Sequence, residues 1–267
     1  MIPELCAVLR AKRPLVHCIT NPISINQCAN AVLAVGARPM MAEHPREVAQ
    51  ITRTAGALML NLGNITDVRM ESMAISAGTA REKGIPILLD AVGVACSDLR
   101  REYVFELLNN VTPTVIKGNY SEISALYRRD YRSSGVDADE ALAPGPVGSA
   151  AAELARRHHT VILASGATDV ITDGSRLVYV KNGTPQLSTV TGTGCMLGAL
   201  CASYLSVKPD MDAAVTACGI LGICGEYARI QQGSGSFLVN LMDALSRIGD
   251  EDIRNHLDME EMTIEKL

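Results

Sequence analysis

Short apolar runs that end in polar residues recur along the chain, and most are followed by a stretch with helical spacing. "PLVHCITN" (14–21) reads as a strand and its exit loop, and "SINQCANAVLAVG" (24–36) as a helix stopped by Gly36. "PMMA" (39–42) is a brief apolar stretch. Pro45 suits the first turn of the helix "PREVAQITRTAG", which Gly56 ends. "ALMLNLGN" (57–64) predicts a buried strand. Thr66 then caps a helix in which Val68, Met70, Met73, Ala74 and Ala77 recur at spacings of three and four, and Gly84 closes it. "IPILLDAVG" (85–93) and "TVIKGN" (114–119) are further strands, the second leading into a helix from Ser121. "AAAELARRHH" (150–159) is helical and "TVILAS" (160–165) is a strand. Two period-two runs flank Asp173-Gly174, a strong hairpin signal. The remainder reads mostly as helix, at 193–206, 209–230 and about 238–248. The polar, Pro/Gly-rich stretch 128–148 predicts a surface loop, and neither repeats nor linkers are visible.

Apolar strands alternating with helices predict an α/β fold whose mainly parallel sheet is covered on both faces. In such folds ligands sit at the carboxyl ends of the strands. That rule directs attention to the polar exits: Asn21, Asn61, Asn64, Asp90, Lys117, Asn119, Ser165 and Thr191.

One exit carries more than polarity. In "VTGTGCMLGAL" (190–200), two glycines and a cysteine stand at the mouth of a helix. N–H groups entering a helix lack intrahelical acceptors, Gly192 and Gly194 let them converge, and the helix dipole favours an anion there. Read alone, the motif fits an anion site or a tight strand-to-helix turn equally well. It is neither a P-loop nor a dinucleotide fingerprint. Cys195 falls in the first turn, a position that favours the thiolate of a cysteine. It could take a proton, attack as a nucleophile if His17 came near, or simply fill space. Asp90 follows four apolar residues, where a carboxylate is costly unless it caps, pairs with a cation or holds a metal. Glu122 stands three residues after Asn119, as an N-terminal helix charge or as a second carboxylate for Mg²⁺. An anion hole, two acidic exits and Lys117 together make a set suited to phosphoryl transfer.

Composition narrows the field. A chain of 267 residues is long enough to bury a large core without staples, and one domain over 1–267 is expected. The net charge of −5, the absence of Trp and only two Phe argue against nucleic acid as a partner. The eight cysteines include no C-x-x-C pair, so zinc spacing is absent and buried thiols in a reducing compartment are expected. "MIPELCAVLRAKRP" has charges where a signal peptide needs an apolar run, so a cytoplasmic location is expected. Val190 to Val207 is uncharged and nearly long enough to span a bilayer, yet its Thr/Gly start and Gly198 and Ser203 favour a helix buried in a globule, with no membrane partner.

Six segments, in order, carry a specific resemblance: "PLVHCITNPISIN", "GARPMMAEHPREV", "GALMLNLG", "PILLDAVG", "VIKGNYSEI" and "VTGTGCMLGAL". Over nearly its whole length the chain resembles the hydroxyethylthiazole kinases, ribokinase-like enzymes of thiamine salvage. The resemblance implies a ribokinase-like three-layer sandwich and phosphorylation of 4-methyl-5-(2-hydroxyethyl)thiazole by ATP with Mg²⁺. It also implies a homotrimer with active sites between subunits. By motif, Met41, Gly192 and Asn21 correspond to substrate-binding positions, Lys117 and Ser165 to ATP ligands, and Asp90 and Glu122 to the acidic positions around Mg²⁺. Cys195 falls where related sugar kinases carry an aspartate base, and the amides of Thr193 and Gly194 hold the transferring group beside it. The family often has Arg at Lys117, Thr at Ser165 and Pro at Ala91. The competing expectations are a kinase for another small alcohol (a pyrimidine methanol or a sugar), a catalytically silent binding relative, and a cysteine-nucleophile hydrolase.

Overall fold

In the computed structural model, which describes residues 4–128, 130–132 and 142–264, nine strands form one sheet. They are β1 Leu15–Ile19, β2 Arg38–Met40, β3 Ala57–Asn61, β4 Ile87–Asp90, β5 Val115–Asn119, β6 Val161–Ser165, β7 Asp169–Thr172, β8 Arg176–Val180 and β9 Met259–Thr263. Their order is β2-β1-β3-β4-β5-β6-β7-β8-β9, parallel as far as β6 and antiparallel beyond it. The hairpin at Asp173-Gly174 forms as its signature predicts. Gly174 takes φ 92° there, and Asp173 Oδ1 accepts from the Ser175 and Arg176 N–H groups.

Helices lie on both faces. One face carries α1 Leu5–Lys12, α2 Ile25–Ala34, α8 Thr193–Leu205, α9 Met211–Tyr227, α10 Ser234–Arg247 and α11 Asp250–His256. The other carries α3 Pro45–Thr52, α4 Asp67–Lys83, α5 Asp98–Asn110, α6 Tyr120–Tyr127 and α7 Pro144–His158. The strands divide their side chains by the period of two. Val16, Cys18, Ala57, Met59, Leu88 and Val115 enter the first core, while Ile19, Leu58, Leu60, Leu89 and Ile116 enter the second. Burial on both sides is why these strands read as continuous apolar runs rather than alternating ones. The three-layer sandwich expected from the resemblance is what forms.

Several expectations need correction. The strand expected over 85–93 is limited to Ile87–Asp90. The polar stretch 128–148 is not all loop: α7 already begins at Pro144. The prolines at 144 and 146 fall in the first turn, where no intrahelical N–H bond is lost. Positions 129 and 133–141 lie outside the described residues. The C-terminal part is not wholly helical either, since Met259–Thr263 adds an antiparallel edge strand to β8. The helix α5 has no counterpart among the predicted elements, although Ser97 caps it by accepting from the Arg100 N–H. The uncharged 190–207 segment contains α8, whose residues 196–205 are all buried, and no helix among the described residues is long and apolar enough to cross a membrane.

The chain steps from β1 to β2 on one side and then to β3 on the other. The crevice expected at such a reversal lies at the carboxyl end of β1, where Asn21 emerges.

Candidate active site

A cleft of about 650 Å³ opens there, bounded by the strand exits and by the loop that enters α8. Asn21, Asp90, Lys117, Glu122, Ser165, Gly192, Thr193, Gly194 and Cys195 all line it. Met41 does not. It follows the edge strand β2 and packs half-buried against the first core. A depression of about 440 Å³ at the opposite, amino end of the strands has Arg81 as its one charged lining residue and no carboxylate.

The register of the sheet assembles the polar row. Asn61 pairs with Asp90 and Asp90 with Lys117, so three polar residues stand side by side on adjacent strands. By the alternation they project to the face covered by α8. Lys117 Nζ lies 3.0 Å from Asp90 Oδ1, and Asn61 Nδ2 donates to Asp90 Oδ2 at 2.9 Å. Both ends of the ion pair are buried, the Asp90 side chain completely. Burial pushes the Asp90 carboxyl up, with Lys117 acting against it. Burial disfavours the Lys117 charge, yet Asp90, Glu122 and Cys195 around it hold the ammonium well above its ordinary range.

Glu122 belongs to a capping box at the start of α6. Asn119 Oδ1 accepts from the Glu122 N–H at 2.8 Å, and Glu122 Oε2 accepts from the Asn119 N–H at 2.6 Å. Its other oxygen accepts from the Gly93 N–H at 2.7 Å. Burial and then the nearby Asp90 charge push Glu122 up from 4.5 to about 7, against those two backbone donors. The folded protein therefore holds this proton more tightly than the unfolded chain. Its stabilising contribution is complete below pH 4.5 and is lost as the pH rises through about 7. For a carboxylate only 4% exposed the whole swing is on the order of 3 kcal/mol. Urea titrations from pH 4.5 to 8 should show that slope, and Glu122→Gln should flatten it.

The entrance to α8 has the form the glycines predict. Gly192 caps the helix at φ 88°, a conformation that L side chains resist, and a Cβ there would stand 2.9 Å from Ser24 Cβ. The first helical bond runs from the Met196 N–H to Gly192 O at 2.8 Å. No side chain caps the N-terminus and the first turn has no acidic residue. Among the described residues the Thr193, Gly194 and Cys195 N–H groups have no acceptor. Thr193 turns its hydroxyl away, donating to Leu187 O at 3.0 Å, so only its N–H serves the cleft. Lys117 Nζ stands 4.0 Å from the point where a Gly194 Cβ would sit. Donors, helix dipole and a buried cation thus converge on one spot, the arrangement that receives a phosphoryl group. Gly198, one turn deeper, lets α8 close over the polar row, since a Cβ there would lie 2.8 Å from Met59 Cε and 3.2 Å from Asp90 Oδ2.

Cys195 Sγ sits at the mouth of this site and receives N–H groups from Asn21 at 3.2 Å and Asn61 at 3.4 Å. His17 gives it no base. The imidazole projects to the opposite face of the sheet, where Nδ1 meets Thr52 Oγ1 and Nε2 meets Ala42 O, both at 2.9 Å. The hydrolase expectation loses its partner by that alternation. Ser165 pairs with Asn119 in the sheet and its hydroxyl donates to Gly118 O at 3.4 Å, at the far wall of the cleft.

Two contributors escaped the sequence. Asn61 was visible only as one polar exit among many. Arg100 lies on the unread helix α5, lines the cleft and donates to Val92 O at 3.2 Å.

Comparison with known proteins agrees with this geometry. Residues 6–251 match the model of the hydroxyethylthiazole kinase family. Hydroxyethylthiazole kinase 2 of Clostridium botulinum is 43% identical over 256 residues, covering 92% of this chain and 94% of its own. The structure of a hydroxyethylthiazole kinase protein from Pyrococcus horikoshii superposes with a TM-score of 0.88 at 35% identity, covering 97% of each chain. A ribokinase-like superfamily protein from Enterococcus faecalis, 12% identical, shares the fold alone, with a TM-score of 0.64 over 89% of this chain and 87% of its own. The chain belongs to the hydroxyethylthiazole kinase family.

Proposed function

We propose that the protein transfers the γ-phosphoryl group of ATP to the side-chain hydroxyl of 4-methyl-5-(2-hydroxyethyl)thiazole, a step of thiamine salvage. The observation that carries this reading is the set of vacant N–H groups at Thr193, Gly194 and Cys195, facing the cleft beside Lys117. Those donors hold the migrating phosphoryl oxygens. Lys117 offsets their charge, and Ser165 and Asn119 bound the side from which the nucleotide enters. The thiazole ring lies by Asn21 and Gly192, with its hydroxyl at Cys195 Sγ. As the new P–O bond forms and the bond to the ADP oxygen breaks, the hydroxyl proton moves to the Cys195 thiolate, which later returns it to solvent. In a loose transition state the hydroxyl acidifies only as the bond forms, so a weak base is sufficient.

The donor set suits Mg²⁺ as the divalent ion. Asp90 and Glu122 are two carboxylates at the cleft, and burial and then the Asp90 charge push the Glu122 carboxyl up to about 7. Their oxygens are already engaged by Lys117, Asn61 and two backbone N–H groups. They would hold the ion through waters, several of which Mg²⁺ usually keeps. When bound, the ion supplies charge neutralisation at the phosphate oxygens.

Met41 stands at the sheet edge, outside the cleft. The homotrimer with sites between protomers rests on the family resemblance, and in such an assembly Met41 would serve a neighbouring protomer's site. The whole site is carried by one sheet, which supports a single kinase domain over 1–267. A cytoplasmic location, where ATP is supplied and thiols stay reduced, suits the eight free cysteines.

An ATP-consumption assay with the thiazole alcohol tests the reading. Wild-type protein should form one ADP per alkyl phosphate. Cys195→Ala should lower kcat by about a hundredfold, the lower range for a general base, and leave ATP affinity unchanged. Unaltered turnover in that variant would remove Cys195 from the mechanism.

A further inference from the structure

The sulfur of Cys195 has more hydrogen-bond donors around it than a packing role requires. Their direction can be fixed without assumption. Asn61 Oδ1 accepts from the Gly63 backbone N–H at 2.8 Å, a group that can only donate. A flipped amide would set two donors against each other, so Asn61 Nδ2 must face Asp90 Oδ2 and Cys195 Sγ. Asn21 is fixed in the same way, since its Oδ1 accepts from the Ser24 N–H at 3.1 Å. Its Nδ2 therefore faces Asn61 Oδ1 at 3.1 Å and the same sulfur at 3.2 Å.

We propose that Asn61 is a positioning residue for the Cys195 thiolate, aiming one amide N–H at the sulfur and the other at Asp90 so that two anions share a single neutral donor. This rests on the reading of Cys195 as proton acceptor. Among the described residues, the charged and titratable groups around the sulfur are Lys117 from β5, Asp90 from β4, which shares the Asn61 donor with it, and Cys28 from α2. Lys117 attracts the thiolate, while Asp90 repels it and Cys28 stays a neutral thiol, pushed up to about 12 chiefly by burial. Asn61 stands between the two anions, and its NH₂ turns the region of greatest repulsion into a pair of hydrogen bonds. Asn21 locks the Asn61 carbonyl and adds a second donor to the sulfur. Two N–H donors thus converge on one sulfur, placed to meet a negative charge there with hydrogen bonds. Once Sγ is protonated, Asp90 still holds the Asn61 side chain in place, and the site resets without a rotamer change.

The test reads the thiolate in the unliganded enzyme, by the rate at which iodoacetamide alkylates Cys195. It is run in a Cys96→Ser background, because Cys96 is exposed and would compete. Each rate at neutral pH is divided by the same protein's rate at high pH, which cancels differences in access. Asn61→Ala should lower this ratio by about tenfold, the effect of one lost hydrogen bond to a charged group. Asn61→Asp keeps the shape but aims an anion at the sulfur, and should lower it further. Asn61→Ser retains one donor, replaces Ala if that variant does not fold, and should lower the ratio less. A ratio equal to the parent's in Asn61→Ala, or in Asn61→Ser where it stands in, overturns the proposal. The alkylation assay contains no ATP, so its outcome is separate from that of the Cys195→Ala kinetics: normal turnover there would end the base reading and leave the amides' hold on sulfur measured.

Discussion

Lys117→Met is expected to cost the fold about 3–5 kcal/mol at pH 7.5, the loss typical when one partner of a buried ion pair is removed. Lys117 is 3% exposed and Asp90 fully buried, so solvent compensates only in part for the lost ammonium. Asp90 would keep only the Asn61 donor. Burial already pushes the Asp90 carboxyl up from 3.8 with the lysine present, and without it the carboxyl moves higher still. An acid whose folded value is raised stabilises the fold below its unfolded value and loses that stabilisation as the pH rises through the folded one. The Lys117→Met penalty should therefore shrink as the pH falls toward 4. Urea midpoints at pH 7.5 and pH 4.5 measure this. Adding Asp90→Asn to Lys117→Met should recover most of the stability, because it removes the stranded charge, but no activity. A single variant as stable as the parent at pH 7.5 would mean that Asp90 is not held ionised by Lys117.

The same pair shows how far the sequence could be read. Asp90 and Lys117 each announce themselves as polar residues at the end of an apolar run. What one sequence does not supply is the register that brings them together, since a shift of one residue sends a side chain to the other face. Asn61 illustrates the same gap: it was one of several polar exits until pairing with Asp90 set it beside the sulfur. His17 shows the converse. A nucleophilic Cys195 would need His17 beside it, and the alternation of β1 sends the ring to the α3 side instead. Local signals fared better where the physics is local. The Gly192 turn, the Thr66 cap, the Asp173-Gly174 hairpin and the Gly84 stop each depend on a few consecutive residues. The misses fall where local signal is weak. In α5 arginines, Asn and Glu crowd the apolar stripe, and in β9 the sequence Met-Glu-Glu-Met-Thr is charged because the strand is an exposed edge. Met41 is a different case, because its reading as a substrate contact came from the resemblance alone and it does not line the cleft.

Gly194→Asp should separate anion binding from folding more sharply than any other change in the cleft. Gly194 is exposed, and a Cβ built on it meets nothing within 4 Å except Lys117 Nζ at 4.0 Å. The new carboxylate has room, three vacant N–H groups beside it and a cation within reach. An acidic side chain in the first turn of a helix is worth about 0.3–1 kcal/mol, so the melting temperature should rise slightly or hold. The same carboxylate occupies the ground a phosphoryl group must cross, and repels it. Loss of such donors to a developing anion typically costs about 10²–10³ in kcat, and the added repulsion should push the loss to the top of that range. Gly194→Asn, neutral and of the same size, separates obstruction from charge and should retain more activity than Asp. If Gly194→Asp gained stability yet kept ATP turnover within about tenfold of the parent, the α8 entrance would be an anion site in the wrong place, and phosphoryl transfer would have to be sought along another wall of the cleft.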